Sequence, residues 1–336
     1  MNEADTLAFY NWLEQAMAHD QCLSDSQILS LFYWQARKNP VYADYLAALG
    51  RNPVTISKIT DIPFLPIEFF KQHQIISCQP SHHAVIFESS GTTGSSPSRH
   101  WVNDILLYEN HSRAVFESCY GSLHDWTILA LLPAYLERSG SSLVHMIDTF
   151  LKYNQDPLSG FYLDNLQLLR VAYAQAKQAK RKVLLIGVSF ALLDLAEAGG
   201  IALAEEDVLM ETGGMKGRRT ELIREALHQQ LQFAFKVRKV HSEYGMTELL
   251  SQAYADGAGQ FRCPPSMRIL IRHTSDPFSY LECGRTGGIN IIDFANIHSC
   301  AFLQTQDLGR LNSDGSFEVL GRFDSSDIRG CNLLVV

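Results

Sequence analysis

The chain has 336 residues, 46% of them apolar and 19% charged, which is enough apolar material for one large or two medium cores and excludes a disordered tail. Its 28 Lys and Arg against 36 Asp and Glu leave a formal charge of -8, without the basic footprint that nucleic-acid binding requires. No stretch approaches the ~20 consecutive apolar residues that span a bilayer, and the acidic start "MNEADTLAFYNWLEQAMAHD" lacks the features of a signal peptide, which points to the cytoplasm.

The first 75 residues read as helical. "SDSQILSLFYWQARKN" opens on Ser24 and Asp25 as caps and sets Ile28, Leu31, Phe32 and Trp34 at helical spacing. In "DIPFLPIEFFKQHQ", Pro63 and Pro66 break that spacing and predict an extended arm. From "HAVIFESSGTTG" onward short apolar runs alternate with amphipathic stretches, the pattern of an α/β sheet. "DWTILALLPAY" and "KVLLIGVS" read as buried strands. "YLDNLQLLRVAYAQAKQAK" and "RRTELIREALHQQLQ" read as helices, the second with Glu221 near its start and Leu222, Ile223, Ala226 and Leu227 on one side. After residue 260 the pattern turns to β, with a hairpin signal in "LNSDGSFEVLGR". The basic clusters "KRKV" and "KVRKV" read as solvated ends of elements leading into strands.

Cys22, Cys78, Cys119, Cys263, Cys283, Cys300 and Cys331 are scattered, odd in number and without CxxC spacing, so neither a disulfide framework nor a zinc site is indicated. All but Cys331 are expected to act as small buried hydrophobes. His145, on an apolar flank, reads as a satisfied core histidine.

The stretch "FESSGTTGSSPSRHW" has two readings, a linker or a phosphate loop. A strand directly before it and an aromatic segment after it favour the loop, whose N–H and hydroxyl groups can wrap phosphate oxygens. It lacks the Gly-Lys-Ser/Thr ending of a Walker loop. Behind it come "ETGGMKG", "HSEYGMTELLSQAY" and "QTQDLGRLNSDGSFEVLGRFDSSDIRGCNLLVV".

Together, in this order, these motifs resemble the signature of the adenylate-forming superfamily. The resemblance implies an α/β fold, the large-domain fold of that superfamily, with a helical amino-terminal segment over 1–75, the main domain over 76–322, and a short carboxyl-terminal arm over 323–336 that carries Cys331. It implies ATP and Mg2+ as cofactors. Ser89, Ser90, Gly91, Thr92, Thr93 and Gly94 would hold the phosphates, Thr247 would touch the α-phosphate and Glu248 would bind Mg2+. Gly213 and Gly214 would line the adenine pocket with Tyr244 and Gly245, Asp307 would accept the ribose hydroxyls, and Arg322 would support the ribose or phosphate side.

"IPFLPIEFFK", "ESSGTTGSSPSRH" and "LLPAYLERSGSSLVHM" resemble one branch more closely, the acyl-protein synthetase family, the fatty acid activating component of the bacterial luminescence reductase system. That resemblance covers nearly the whole chain. It implies formation of an acyl-adenylate, transfer of the acyl group to a cysteine near the carboxyl terminus, and delivery to an acyl reductase. By resemblance, Gly-Arg-x-Asp at 321–324 marks the superfamily's hinge; Cys331 lies seven residues beyond Asp324, on the arm after it, with Gly330 before it to allow close approach. The superfamily's further domain of roughly a hundred residues, with its catalytic lysine, is not expected here, and Lys216, Arg99 and His100 are the cations that the motifs offer instead. Two alternatives stay open: transfer to coenzyme A or a carrier protein with Cys331 structural, and a non-catalytic nucleotide-binding subunit.

Overall fold

The computed structural model describes residues 3–82, 84–89, 96–133, 140–213 and 222–323. The chain is divided into two compact units: one takes residues 1–69, 75–78 and 265–336, the other 70–74 and 79–264.

The first unit begins with helices α1 (Glu3–His19), α2 (Asp25–Lys38) and α3 (Pro40–Ala48). Ser24 caps α2 in a reciprocal capping box, its hydroxyl accepting from the Gln27 N–H while its own N–H donates to the Gln27 side chain. The helix then buries Ile28, Leu31, Phe32 and Trp34, as their spacing predicts. Each such side chain contributes on the order of 1.5–3 kcal/mol by leaving water. Gln35 is fully buried, and its amide donates to the Asn296 and Ile297 carbonyls and accepts from the Ala301 N–H. A buried amide with its bonds made fixes the helix to one register on the loop below. Past two prolines the chain extends as β1 (Leu65–Pro66), and α4 (Phe69–Gln72) follows.

The second unit holds a hairpin, β2 (Val85–Glu88) with β3 (Arg99–Val102), followed by α5 (Ile105–Tyr120), β4 (Trp126–Leu131), α6 (Ser142–Asn154), β5 (Gly160–Phe161), α7 (Leu166–Gln178), β6 (Lys182–Val188), α8 (Ser189–Glu197), β7 (Val208–Thr212), α9 (Arg224–Phe235), β8 (His241–Tyr244), β9 (Ala253–Ala255) and β10 (Gln260–Arg262). Strands β5, β4, β6, β7 and β8 run parallel in that order, and β9 and β10 continue the sheet antiparallel. Parallel strands with helical crossovers bury both faces, which is why β4 and β7 are buried throughout and largely apolar. One face packs Leu129, Leu131, Val183, Leu185 and Leu209 against Leu169 and Ala172 of α7, Leu192 and Leu195 of α8, and Leu227, Leu231 and Phe235 of α9.

The chain then completes the first unit with β11 (Met267–Arg272), β12 (Thr286–Asp293), β13 (Phe302–Leu311) and β14 (Phe317–Arg322), an antiparallel succession in which β1 lies parallel to β13 at Leu303 and Gln304. The hairpin expected in "LNSDGSFEVLGR" is the β13–β14 connection, closed by the Asn312 N–H donating to the Ser316 carbonyl.

Two expectations are corrected. Helix α9 begins at Arg224, after Ile223 in extended backbone and 72% exposed; Leu227, His228, Leu231 and Phe235 form its buried stripe, and Leu222 and Ile223 lie before it. Glu221 lies outside the described residues. Of the six cysteines expected to be buried, only Cys300 is. Cys22, Cys119 and Cys283 are exposed, and Cys78 and Cys263 are partly covered. The three exposed thiols sit in connections or a last helical turn, where the chain meets solvent. The two basic clusters do precede β6 and β8, and Lys239 pairs with Asp256 at 3.1 Å.

Candidate active site

In the second unit, the carboxyl ends of β6, β7 and β8 lie side by side, with Val188 opposite Thr212 and Thr212 opposite Glu243. The crevice beyond such strand ends is where open parallel sheets bind ligands. Gly213 directly follows β7 with a φ of +69°, a backbone state that glycine adopts at little cost, and its carbonyl accepts from the Ser189 hydroxyl at 2.8 Å. Tyr244 closes β8 and Gly245 turns the chain. Tyr244 is buried, its ring 5.8 Å from that of Phe261 on β10. Gly245 is exposed, and a Cβ there would overlap a carboxylate oxygen of Glu243. The sequence "EYG" thus works as a unit, the glycine leaving room for the acid two residues before it.

The Met246–Leu249 turn carries Thr247, half-buried, and Glu248, 6% exposed. Both face the question of how the hairpin that carries the Ser/Thr/Gly loop is held. Its strands pair Phe87 with His100 and Glu88 with Arg99. At its mouth, Ser89 donates its N–H to the Ser98 carbonyl at 3.0 Å and accepts the Ser98 N–H on its hydroxyl at 2.9 Å. Ser90, Gly91, Thr92, Thr93 and Gly94 lie outside the described residues. So do Gly214, Lys216 and Cys331. His100 is fully buried, with its Nδ1 2.8 Å from the Thr247 carbonyl oxygen and its ring edge-on to Phe70. The mouth of the loop is therefore fastened to the Thr247–Glu248 turn.

This corrects one expectation for His100. Burial pushes its imidazole down to about 4, the bond to Thr247 only partly opposing. A ring held neutral against a carbonyl supplies no cation. Arg99 is exposed and pairs with Glu88 at 3.2 Å. His145, expected as a satisfied core histidine, is partly buried, with its Nε2 2.8 Å from a Glu109 carboxylate oxygen.

A polar cluster beneath these turns was not singled out from the sequence. Glu211 of β7 has Arg224 Nε at 3.7 Å, His228 Nε2 at 3.6 Å and the Ser189 hydroxyl at 3.3 Å. Glu243 of β8 accepts from the Thr212 hydroxyl. Burial, partly offset by that bond and reinforced by Glu211, pushes the Glu243 carboxyl up to about 7. The available signal was an acid near the end of each of two strands, in "LMET" and "HSEY".

Asp307 and Arg322 belong to the first unit, where they face each other across β13 and β14. Arg322 Nε donates to Asp307 Oδ1 at 3.2 Å. Asp307 is 6% exposed, and its backbone N–H donates to the Thr305 hydroxyl at 3.1 Å. A bulge at Leu308–Gly309 directly follows Asp307 in β13.

Among the described residues there is no group of three or more His, Cys, Asp and Glu that could hold a metal. A divalent cation on Glu248 would draw its other ligands from phosphate oxygens and water, as Mg2+ does. Among the described residues no helix is long and apolar enough to cross a membrane.

No family model matches the chain, and no curated protein matches it. Solved structures do. An open conformation of 2-hydroxyisobutyryl-CoA ligase in complex with 2-HIB-AMP and CoA aligns over 90% of this chain and 70% of its own, at 13% identity and a TM-score of 0.64. A long-chain-fatty-acid-CoA ligase from Archaeoglobus fulgidus aligns over 74% and 53%, at 14% identity and 0.52. O-succinylbenzoate coenzyme A synthetase from Bacillus subtilis, in complex with ATP and magnesium ion, aligns over 70% and 49%, at 18% identity and 0.50. The chain has the mixed α/β fold of adenylate-forming enzymes, and it spans about half the length of the latter two.

Proposed function

We propose that this chain uses ATP and Mg2+ to activate a fatty acid as its acyl-adenylate, then carries the acyl group as a thioester on Cys331 for a partner of the acyl-reductase class. The observation that carries the reading is the convergence within one unit of Gly213, the Tyr244–Gly245 turn, Thr247 and Glu248, with the mouth of the Ser/Thr/Gly loop tied to them by His100. The motif order, the fold, and neighbours solved with ATP and magnesium or with an acyl-AMP support it. A cytoplasmic location goes with it.

In the first step a carboxylate oxygen of the acid bonds to the α-phosphorus of ATP as the bond to pyrophosphate breaks. Negative charge gathers at the phosphates, so fixed donors there lower the barrier. Ser89, Ser90, Gly91, Thr92, Thr93 and Gly94 supply hydroxyl and N–H donors, and Thr247 meets the α-phosphate. Glu248 would hold Mg2+, whose charge would offset that of the phosphates. Gly213, Gly214, Tyr244 and Gly245 border the adenine, while Asp307 and Arg322 serve the ribose side. In the second step the Cys331 sulfur, its proton lost, bonds to the acyl carbonyl carbon and AMP leaves.

The test is intact-protein mass after incubation with ATP, Mg2+ and a panel of fatty acids, for wild type and Cys331→Ser. An ATP-dependent acyl adduct confined to the wild type is expected. The coenzyme A ligases among the solved neighbours favour a second reading, transfer to coenzyme A or a carrier-protein thiol. Soluble thioester made by Cys331→Ser would establish that one. ATP binding without pyrophosphate exchange would reduce the chain to a nucleotide-binding subunit.

A further inference from the structure

The reading above gives Glu243 no role, yet its carboxyl touches both backbone segments assigned to the nucleoside. One oxygen accepts from Thr212, the residue before Gly213. The other fills the space where Gly245 would carry a Cβ. Tyr108 of α5 and Tyr254 of β9 lie close enough for its charge to raise their own pKa values, and Glu211 of β7, opposite Ser242 and so on the other face of the sheet, adds a smaller repulsion. Glu211 is met in turn by Arg224 and His228 of α9, both within 4 Å. Glu243 therefore joins the end of β7 to the turn after β8.

We infer that Glu243 is a positioning residue for ATP: its carboxyl clamps the Thr212–Gly213 strand end to the Tyr244–Gly245 turn, and the clamp loosens as pH rises. The inference rests on the adenylation reading. A protonated carboxyl keeps its hydrogen bond with Thr212 without placing a charge in the buried site. An ionised one leaves a charge stripped of water, which is the larger cost, and the charge of Glu211 adds a smaller repulsion, so ionisation favours arrangements in which the carboxylate reaches solvent. Since burial holds this group near neutrality, both forms are populated in the ordinary working range.

The experiment is titration of the full chain with ATP at saturating Mg2+ from pH 5.5 to 8.5, paired with KM and kcat for ATP, in wild type, Glu243→Gln and Glu243→Asp. For the wild type we expect the dissociation constant to rise roughly tenfold or more between pH 6 and 8.5, as the binding-competent fraction falls. Glu243→Gln keeps the shape without the titration and is expected to hold its low-pH affinity within about twofold across the range. Glu243→Asp, which withdraws the carboxyl from Thr212, is expected to raise KM roughly tenfold at every pH with kcat changed much less. Unfolding curves establish that each variant is folded, and either variant alone suffices. A pH dependence shared by wild type and Glu243→Gln, or wild-type affinity in Glu243→Asp, overturns the inference while leaving adenylation intact. Failure of the wild type to bind ATP at any pH overturns the adenylation reading and this inference with it.

Discussion

His100 Nδ1 stands 2.8 Å from the carbonyl oxygen of Thr247, a contact between residues 147 positions apart that joins the strand after the Ser/Thr/Gly loop to the turn carrying Glu248. With the ring held neutral, Nδ1 must carry the proton to donate to a carbonyl. His100→Phe keeps the ring and removes the donor. It is expected to cost about 1–3 kcal/mol, the penalty of an unpaired buried carbonyl. ATP-dependent pyrophosphate exchange is expected to fall more than stability alone explains, and thermal melts beside exchange rates make that comparison. Exchange that tracks only the folded fraction would reduce His100 to a packing residue.

Gly245 and Glu243 should behave as one unit. Gly245→Ala drives a methyl group against the Glu243 carboxylate and is expected to weaken ATP binding roughly tenfold or more, since an ångström of misplacement carries such costs. Shortening the acid makes room, so Glu243→Ala combined with Gly245→Ala is expected to lose less than the sum of the single changes. A double-mutant cycle on ATP affinity measures the coupling. Strict additivity would mean that the overlap is relieved elsewhere.

Asp307 and Arg322 allow structure and binding to be separated. Their pair is half in solvent, the Arg322 side chain being 59% exposed, and pairs of that kind are worth about 0–1 kcal/mol. Asp307→Asn should therefore leave the melting temperature nearly unchanged. If the carboxylate accepts the ribose hydroxyls, the same variant is expected to lose roughly 1.5–3 kcal/mol of ATP affinity, the range for a hydrogen bond to a charged group. Unchanged affinity would return Asp307 to a purely structural pair.

Acid should unfold this protein through its buried histidines. Burial pushes His100, His111 and His241 from 6.5 down to about 4. Each takes up a proton on unfolding in that window, so the stability they contribute is full above pH 6.5 and is lost as pH falls toward 4. Glu243 acts in the opposite sense, releasing a proton on unfolding between 4.5 and about 7, so its contribution declines as pH rises. Near pH 5.5 the histidines prevail, with a net slope of up to roughly 2–3 kcal/mol per pH unit. Urea midpoints between pH 4.5 and 7 measure it, and His111→Asn should flatten the slope by about one proton. A flat profile would mean that these rings are hydrated in solution.

Local order was largely written in the sequence. Ser24 caps α2, with Asp25 its first residue, prolines force the extended arm, and apolar runs become the buried β4 and β6, because each feature depends on residues a few positions apart. The candidate residues were legible as motif fragments, Gly213 at a strand end and Tyr244–Gly245 in another motif, whereas the pairing of Asp307 with Arg322 was not.

What only the tertiary structure decided is which groups meet. Nothing near His100 in the chain says that it bonds Thr247, and nothing in "HSEYG" says that the glutamate folds back under the glycine beside Thr212. Nor does local pattern reveal that α1–α3 share a unit with β11–β14, or that most of the cysteines stay near solvent. Periodicity reports which face of an element is apolar. Desolvation, and with it the neutral state of His100 and the raised pKa of Glu243, depends on everything packed around a group from distant parts of the chain, and so emerges only when the chain has folded.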